Sequence, residues 1–321
     1  MKHIVEIYSM IVKKNFNLLI VISNIRNETL ITLIVSSTIW FLSINNIIEI
    51  SLPWSIAAIL GSALAIFIAF RNQSSYGRWW EARTIWGGII NNSRILARQI
   101  INNVDASVET GKIKVEEGTV FKKELLYRQI AFAHALRIHL RKETDFGVLK
   151  DFISENEFAD IVKRENKPNI LLTNQGKRIK DGISKDYLGA FDNISIEPNM
   201  ASFNNWQGAC ERIKNTPLPM NYQYFTKLFL YVFIFILPLS LLNDFEKLKV
   251  EYLIVPVSFI ISFVFAVMNR VGEINENPFE NQMQDIPMTA LCNTIERDLK
   301  EMLNEGNLPK KVIADTNGFL Y

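Results

Sequence analysis

A chain of 321 residues carrying 35 basic against 33 acidic side chains has no electrostatic footprint for nucleic acid. Its two cysteines, Cys210 and Cys292, lie far apart, which excludes a disulfide scaffold or a four-cysteine zinc site and fits a reducing compartment. With 49% apolar and 21% charged residues, the composition implies a membrane-buried part joined to a charged, water-facing part.

Residues 1–28 come first. Lys2, Glu6, Lys13 and Lys14 interrupt the apolar residues, so this segment is not expected to be a signal peptide. The apolar run 16–25 is too short to span, because a helix needs about 20 apolar residues to cross the hydrocarbon layer. An interfacial helix leading into the bilayer is expected here. Four spanning stretches follow, at 29–48, 54–70, 222–242 and 252–268. Trp54, Tyr222, Tyr224 and Tyr252 mark their ends, where amphipathic rings favour the headgroup region. The short connections 49–53 and 243–251 make two hairpins. The first connection has no Lys or Arg, and the second has Lys247 and Lys249 among three acids. The positive-inside rule therefore puts both termini and the middle region in the cytoplasm.

The middle region, 71–218, reads as helical. Trp79, Trp86, Ile90, Ile95 and Ile100 recur near helical spacing, as do Leu126, Ile130, Ala133, Leu136 and Leu140. Residues 103–118 read as a polar connection, and 143–196 as short helices broken at Pro168, Gly176 and Gly182. A last amphipathic helix is expected over 288–304. The expected organisation is thus an N-terminal segment 1–28, a first hairpin 29–70, a cytosolic region 71–218, a second hairpin 219–270 and a C-terminal region 271–321.

No catalytic motif stands out: phosphate-cradling loop, nucleophile elbow, HExxH and CxxC are all absent. His134 and His139 are five apart, which turns them away from a shared helical face. Neither an enzyme nor a bound metal or cofactor is expected. The second span says more. Ser62, Ile66 and Phe70 fall at i, i+4 and i+8 on one helical stripe, flanked by the small residues Gly61, Ala63, Ala65 and Ala69. From the pattern alone, packing against neighbouring spans or lipid is the favoured reading. The other is a hydrophobic constriction on the axis of a ring of subunits, able to gate by excluding water.

Three segments carry a family resemblance. FRNQSSYGRWWEAR (70–83), ACERIKNTPLP (209–219) and ENPFENQMQDIPMTALCNTIERDL (276–299), in this order around the four spans, resemble the bacterial branch of the bestrophin family. The resemblance implies an all-α integral membrane protein with four transmembrane helices per subunit, a large helical cytosolic region and a homopentamer around a central pore. It implies a bestrophin-type channel for monovalent ions in the inner (plasma) membrane, whose neck is lined by Ser62, Ile66 and Phe70. Ser62 departs from the family, where that level is commonly apolar. A second, cytosolic constriction is implied near 179–188, with Ile183 and Tyr187 as candidates. Arg78, Trp79, Trp80 and Glu81 are expected to anchor the neck helix structurally. The acidic run that clasps Ca²⁺ in animal relatives is reduced here to Glu280 and Asp285, so no tight Ca²⁺ clasp is expected. Cations are expected to be preferred over chloride. The alternative is a non-conducting membrane scaffold or sensor that binds a partner through its cytosolic helices.

Overall fold

The computed structural model describes residues 10–11, 22–47, 50–282, 284–313 and 319–320. A two-residue strand β1 (Met10–Ile11) precedes helices α1 (Arg26–Ile44), α2 (Trp54–Glu109), α3 (Val115–Arg141), α4 (Glu155–Val162), α5 (Lys167–Ser184), α6 (Asp192–Asn215), α7 (Met220–Lys247), α8 (Ile254–Asn275) and α9 (Met288–Met302). Strand β2 (Phe319–Leu320) then pairs antiparallel with β1. Most of the expected N-terminal interfacial helix lies outside the described residues. Within it, Met10 and Ile11 are extended, and Arg26–Glu28 belong to α1.

The chain divides into two compact units. The first holds the described residues of Lys13–Trp79 and Pro217–Asn277, and contains α1, the start of α2, α7 and α8. All four helices are long and apolar enough to cross a membrane. Their packing is that of helices in lipid. Helix α1 buries Thr29, Thr32 and Ser36 and exposes Leu30, Ile34 and Phe41. Each of these three hydroxyls donates to a carbonyl one turn back, as in Ser36 Oγ to Thr32 O at 2.7 Å. Helix α8 likewise buries Ser258, Ser262 and Ala266 at four-residue spacing and exposes Ile260 and Val264. Small residues facing in and large ones facing out suit a solvent as apolar as leucine. The shared core contains Leu64, Ile68, Leu230, Phe233, Leu237 and Ile254. Gly61 lets α2 approach α7: a Cβ there would lie 3.1 Å from the Phe233 ring.

The second unit holds the described residues of Met1–Val12, Trp80–Thr216 and Pro278–Tyr321. Helix α3 is its centre, buried nearly all round from Phe121 to Leu140, with α5, α6 and α9 packed against it. Trp86, Ile89, Leu96, Ile100, Phe203 and Ile295 complete the core. Gln129 Nε2 donates to Ser93 Oγ at 2.9 Å, and Gln175 Nε2 to Leu125 O at 2.8 Å, so both buried amide groups find an acceptor for their N–H.

Two expectations are corrected here. The 103–118 connection shrinks to 110–114, because Val104 and Val108 lean on Gly118 of α3 and keep α2 helical to Glu109. Gly111 then reverses the chain at φ +70°. Pro168 does not break a helix but opens α5 beside the Asn166 cap, whose side chain accepts from Asn169 N at 3.1 Å. Gly176 and Gly182 both lie inside α5.

Candidate functional site

Within the first unit, helix α2 has two distinct faces. Ala57, Gly61, Leu64, Ile68, Arg71 and Ser75 are buried at alternating steps of four and three, the seam of a helix packed against its neighbours. Ser62, Ile66 and Phe70 project from the other side, Ile66 56% and Phe70 68% exposed, and Gln73 and Gly77 continue that face. At about 100° per residue, these five positions fall roughly opposite the buried seam. The Ser62 hydroxyl donates to its own helix at Ala58 O, 2.8 Å away.

The seam ends in a charge. Arg71 is buried, with Nη1 donating to Asn269 Oδ1 at 2.8 Å and Nη2 to Glu276 Oε2 at 3.1 Å; Glu273 lies 3.9 Å away. Asn72 Nδ2 donates to Met268 O at 2.9 Å. Two turns beyond Arg71, Arg78 Nε donates to the backbone carbonyl of Glu276 at 3.0 Å. Two turns of α2 and their arginines are therefore tied to the end of α8. Sequence reading ends the second span at Phe70 and gives Arg71, the next residue, no role. The available signal was its place on the apolar 4-3 seam, where a charge must find a partner.

The other expected anchor residues lie close by in the chain. Trp79 stacks on Tyr76, with centroids 6.2 Å apart. Trp80 is half exposed, and Glu81, in the second unit, accepts from Arg212. Of the expected cytosolic constriction residues, Tyr187 stacks on Phe121 at 4.7 Å, beside the Arg178 guanidinium, and Ile183 is half buried at the end of α5. The large apolar side chains most open to solvent near them are Phe191 and Ile194, at 80% and 73%, which the sequence reading omits.

The segment after the NPF motif separates its two carboxylates. Glu280 pairs with Lys214 at 2.7 Å, whereas Asp285 is buried. Burial pushes the Asp285 carboxyl up to about 7, while backbone groups of Gln282 and Glu280 and the charge of Arg141 pull the other way. His134 faces Glu296 and His139 faces Glu211, at 3.8 and 3.6 Å. Among the described residues, no three His, Cys, Asp or Glu side chains come together as a metal-binding group. Both cysteines are buried, and desolvation pushes the Cys292 thiol up to about 12, which suits a packing role rather than a nucleophile.

A family model described as bacterial/fungal bestrophin protein matches residues 16–301. The chain is 31% identical over 258 residues to the voltage-dependent anion channel-forming protein YneE of Escherichia coli O157:H7, covering 80% of this chain and 79% of that one. It is 30% identical over 255 residues to the voltage-dependent anion channel-forming protein alr2987 of a Nostoc species, covering 79% of each. A crystal structure of a bacterial bestrophin homolog from Klebsiella pneumoniae, carrying a single mutation, superposes with a TM-score of 0.78 at 28% identity, covering 88% of this chain and 98% of that one. With the family model matched over nearly the whole chain and four apolar helices built for lipid, this membrane protein belongs to the bacterial and fungal bestrophin family.

Proposed function

We propose that this chain is one subunit of a homopentameric ion channel in the inner (plasma) membrane, with both termini cytoplasmic and an apolar neck lined by Ser62, Ile66 and Phe70. The carrying observation is the free face of α2, where these three residues point away from everything their own unit buries. Lipid-facing surfaces elsewhere in the unit are built from bulky residues such as Leu30, Ile34 and Phe41. The α2 face instead intersperses large side chains with Ser62, Ala63, Gln73 and Gly77, all exposed, a mixture suited to an axis shared by copies. Facing rings of Ile66 and Phe70 would leave a pore narrow enough to shed its water. The Ser62 hydroxyl donates to Ala58 O but keeps its acceptor lone pairs, so the neck is shorter or wetter at that level. Relatives named as channels support ion conduction, and an enzyme is not a competing reading.

For selectivity, the resemblance to the bacterial branch favours monovalent cations over chloride. The names of the relatives, which are anion channel-forming proteins, favour the opposite sign. An apolar neck carries no charge to decide between them. Single-channel recording of the purified protein under asymmetric KCl decides: reversal near the potassium potential supports the cation reading, and reversal near the chloride potential replaces it. Ile66→Ala and Phe70→Ala are expected to raise conductance. Silence of intact oligomers, with Phe70→Ala also silent, would favour the scaffold or sensor reading, for which the exposed Phe191 and Ile194 offer an apolar contact surface.

A further inference from the structure

We propose that the first unit binds the phosphate group of an anionic phospholipid, in a cavity at one end of its helices. The cavity is about 230 Å³ and is lined by the start of α1 (Arg26, Glu28), by Lys227 of α7 and by the end of α8 (Asn269, Arg270, Glu273). Chain direction places these groups at one membrane level. Two hairpins return the chain to its starting side, so the first residues of α1 and α7 and the last of α8 share that side. In each helix the charge stands where the apolar run begins or ends: Glu28 before Leu30, Lys227 before Leu228, and Arg270 after Val267 and Met268. Tyr222 and Tyr224, one turn before Lys227, are exposed at the same boundary, where aromatic rings favour the headgroup layer.

The polar inventory of the cavity is unbalanced toward cations. Among the described residues that line it, three bases face two acids, and Glu273 is already engaged by Arg270 at 2.9 Å and by Asn269 Nδ2 at 3.2 Å. Arg26 and Lys227 are exposed and have no ion-pair partner among the described residues. The Nε of Arg270 is buried and, among the described residues, has no hydrogen-bond acceptor. A buried donor without an acceptor is costly unless something fills the site. A phosphodiester supplies what is missing: a charge for Arg26 and Lys227, and an acceptor for Arg270. The lipid's acyl chains would continue along the exposed apolar faces of Leu30 and Leu228. Basic pockets between spans are established receptors for such headgroups.

Native mass spectrometry of the detergent-purified protein, titrated with phosphatidylglycerol or phosphatidylcholine, tests this. Phosphatidylglycerol is expected to bind more tightly. Arg26→Gln with Lys227→Gln is expected to weaken it about 25-fold, at about fivefold per basic side chain, while Lys247→Gln with Lys249→Gln at the opposite hairpin end leaves it unchanged. Lys227→Gln alone, at an exposed position, keeps the test readable if the double variant melts early. Equal binding of the two lipids, equal loss in the Lys247/Lys249 control, or unchanged binding in Lys227→Gln would overturn the proposal. So would full displacement of the lipid by millimolar inorganic phosphate, which would assign the site to a free anion.

Discussion

Arg71 Nη2 donates to Glu276 Oε2 across 3.1 Å, and the two side chains are only 2% and 9% exposed. Asn269 and Glu273 complete the shell around the guanidinium, so the charge that ends the apolar seam of α2 is held by three polar groups of α8 and the residue following it. An ion pair this deep stabilises little against a well-packed apolar pair, but breaking it leaves one charge uncompensated. Arg71→Met is therefore expected to cost about 3–5 kcal/mol, with a clear drop in melting temperature. Arg71→Met combined with Glu276→Leu is expected to recover most of the loss. Thermal unfolding in detergent reads both; a double variant no better than the single one would show that the network does more than neutralise charge.

Asp285 sets a pH dependence. Its folded-state value of about 7 lies above the ordinary 3.8, because burial disfavours the carboxylate. Between those values the folded chain holds a proton that the unfolded chain has released. Its contribution to stability is therefore full below about pH 4, falls as pH rises toward about 7, and is flat above that. The integrated change is on the order of a few kcal/mol. Asp285→Asn removes the titration while preserving the shape. It is expected to melt higher than the parent at pH 8 and to match it near pH 4. Parallel melting curves across that range, offset by a constant, would contradict the assignment.

How much of this could be read in the sequence depends on the range of each interaction. The spans are legible because membrane solvation demands about 20 apolar residues, a signal that survives any packing. The continuation of α2 past Phe70 is legible too, since no breaker interrupts Arg71 to Ser75. The spacing of Ser62, Ile66 and Phe70 shows one stripe but not which side the unit buries. That follows from the second stripe, Ala57 to Ser75, once its alternating step is noticed. Glu276 is beyond such reasoning, because its partner is 205 residues away. Asp285 looks like any carboxylate in a polar segment until its burial is known.

The neck makes a charge prediction. If Phe70 lines the axis, Phe70→Asp in every subunit places a ring of carboxylates at the constriction, and Phe70→Lys a ring of ammonium groups. Rings of acidic side chains favour cations and basic ones favour anions. The reversal potential under asymmetric KCl is expected to move in opposite directions for the two variants, and both are expected to conduct more than the parent by wetting the pore. Identical shifts, or none in oligomers of normal mass, would take Phe70 off the permeation path.

Gly176 and Gly182 share helix α5, and sequence alone gives them the same reading, yet they should respond to alanine with opposite signs. A Cβ at Gly176 meets nothing within 4 Å among the described residues, so Gly176→Ala gains the helical preference of alanine, about 1 kcal/mol. At Gly182 the added carbon would run into Phe121 Cζ. That ring has little room to yield, because Tyr187 stacks on it at 4.7 Å and the Arg178 guanidinium lies 4.5 Å from its centre. Overpacking of this kind costs about 1–3 kcal/mol, enough to cancel the helical gain and exceed it. Gly176→Ala is thus expected to raise the melting temperature and Gly182→Ala to lower it. Phe121→Leu would relieve the clash, so the Gly182→Ala/Phe121→Leu pair should be less destabilised than the sum of its single changes; strict additivity would show that the two residues do not meet.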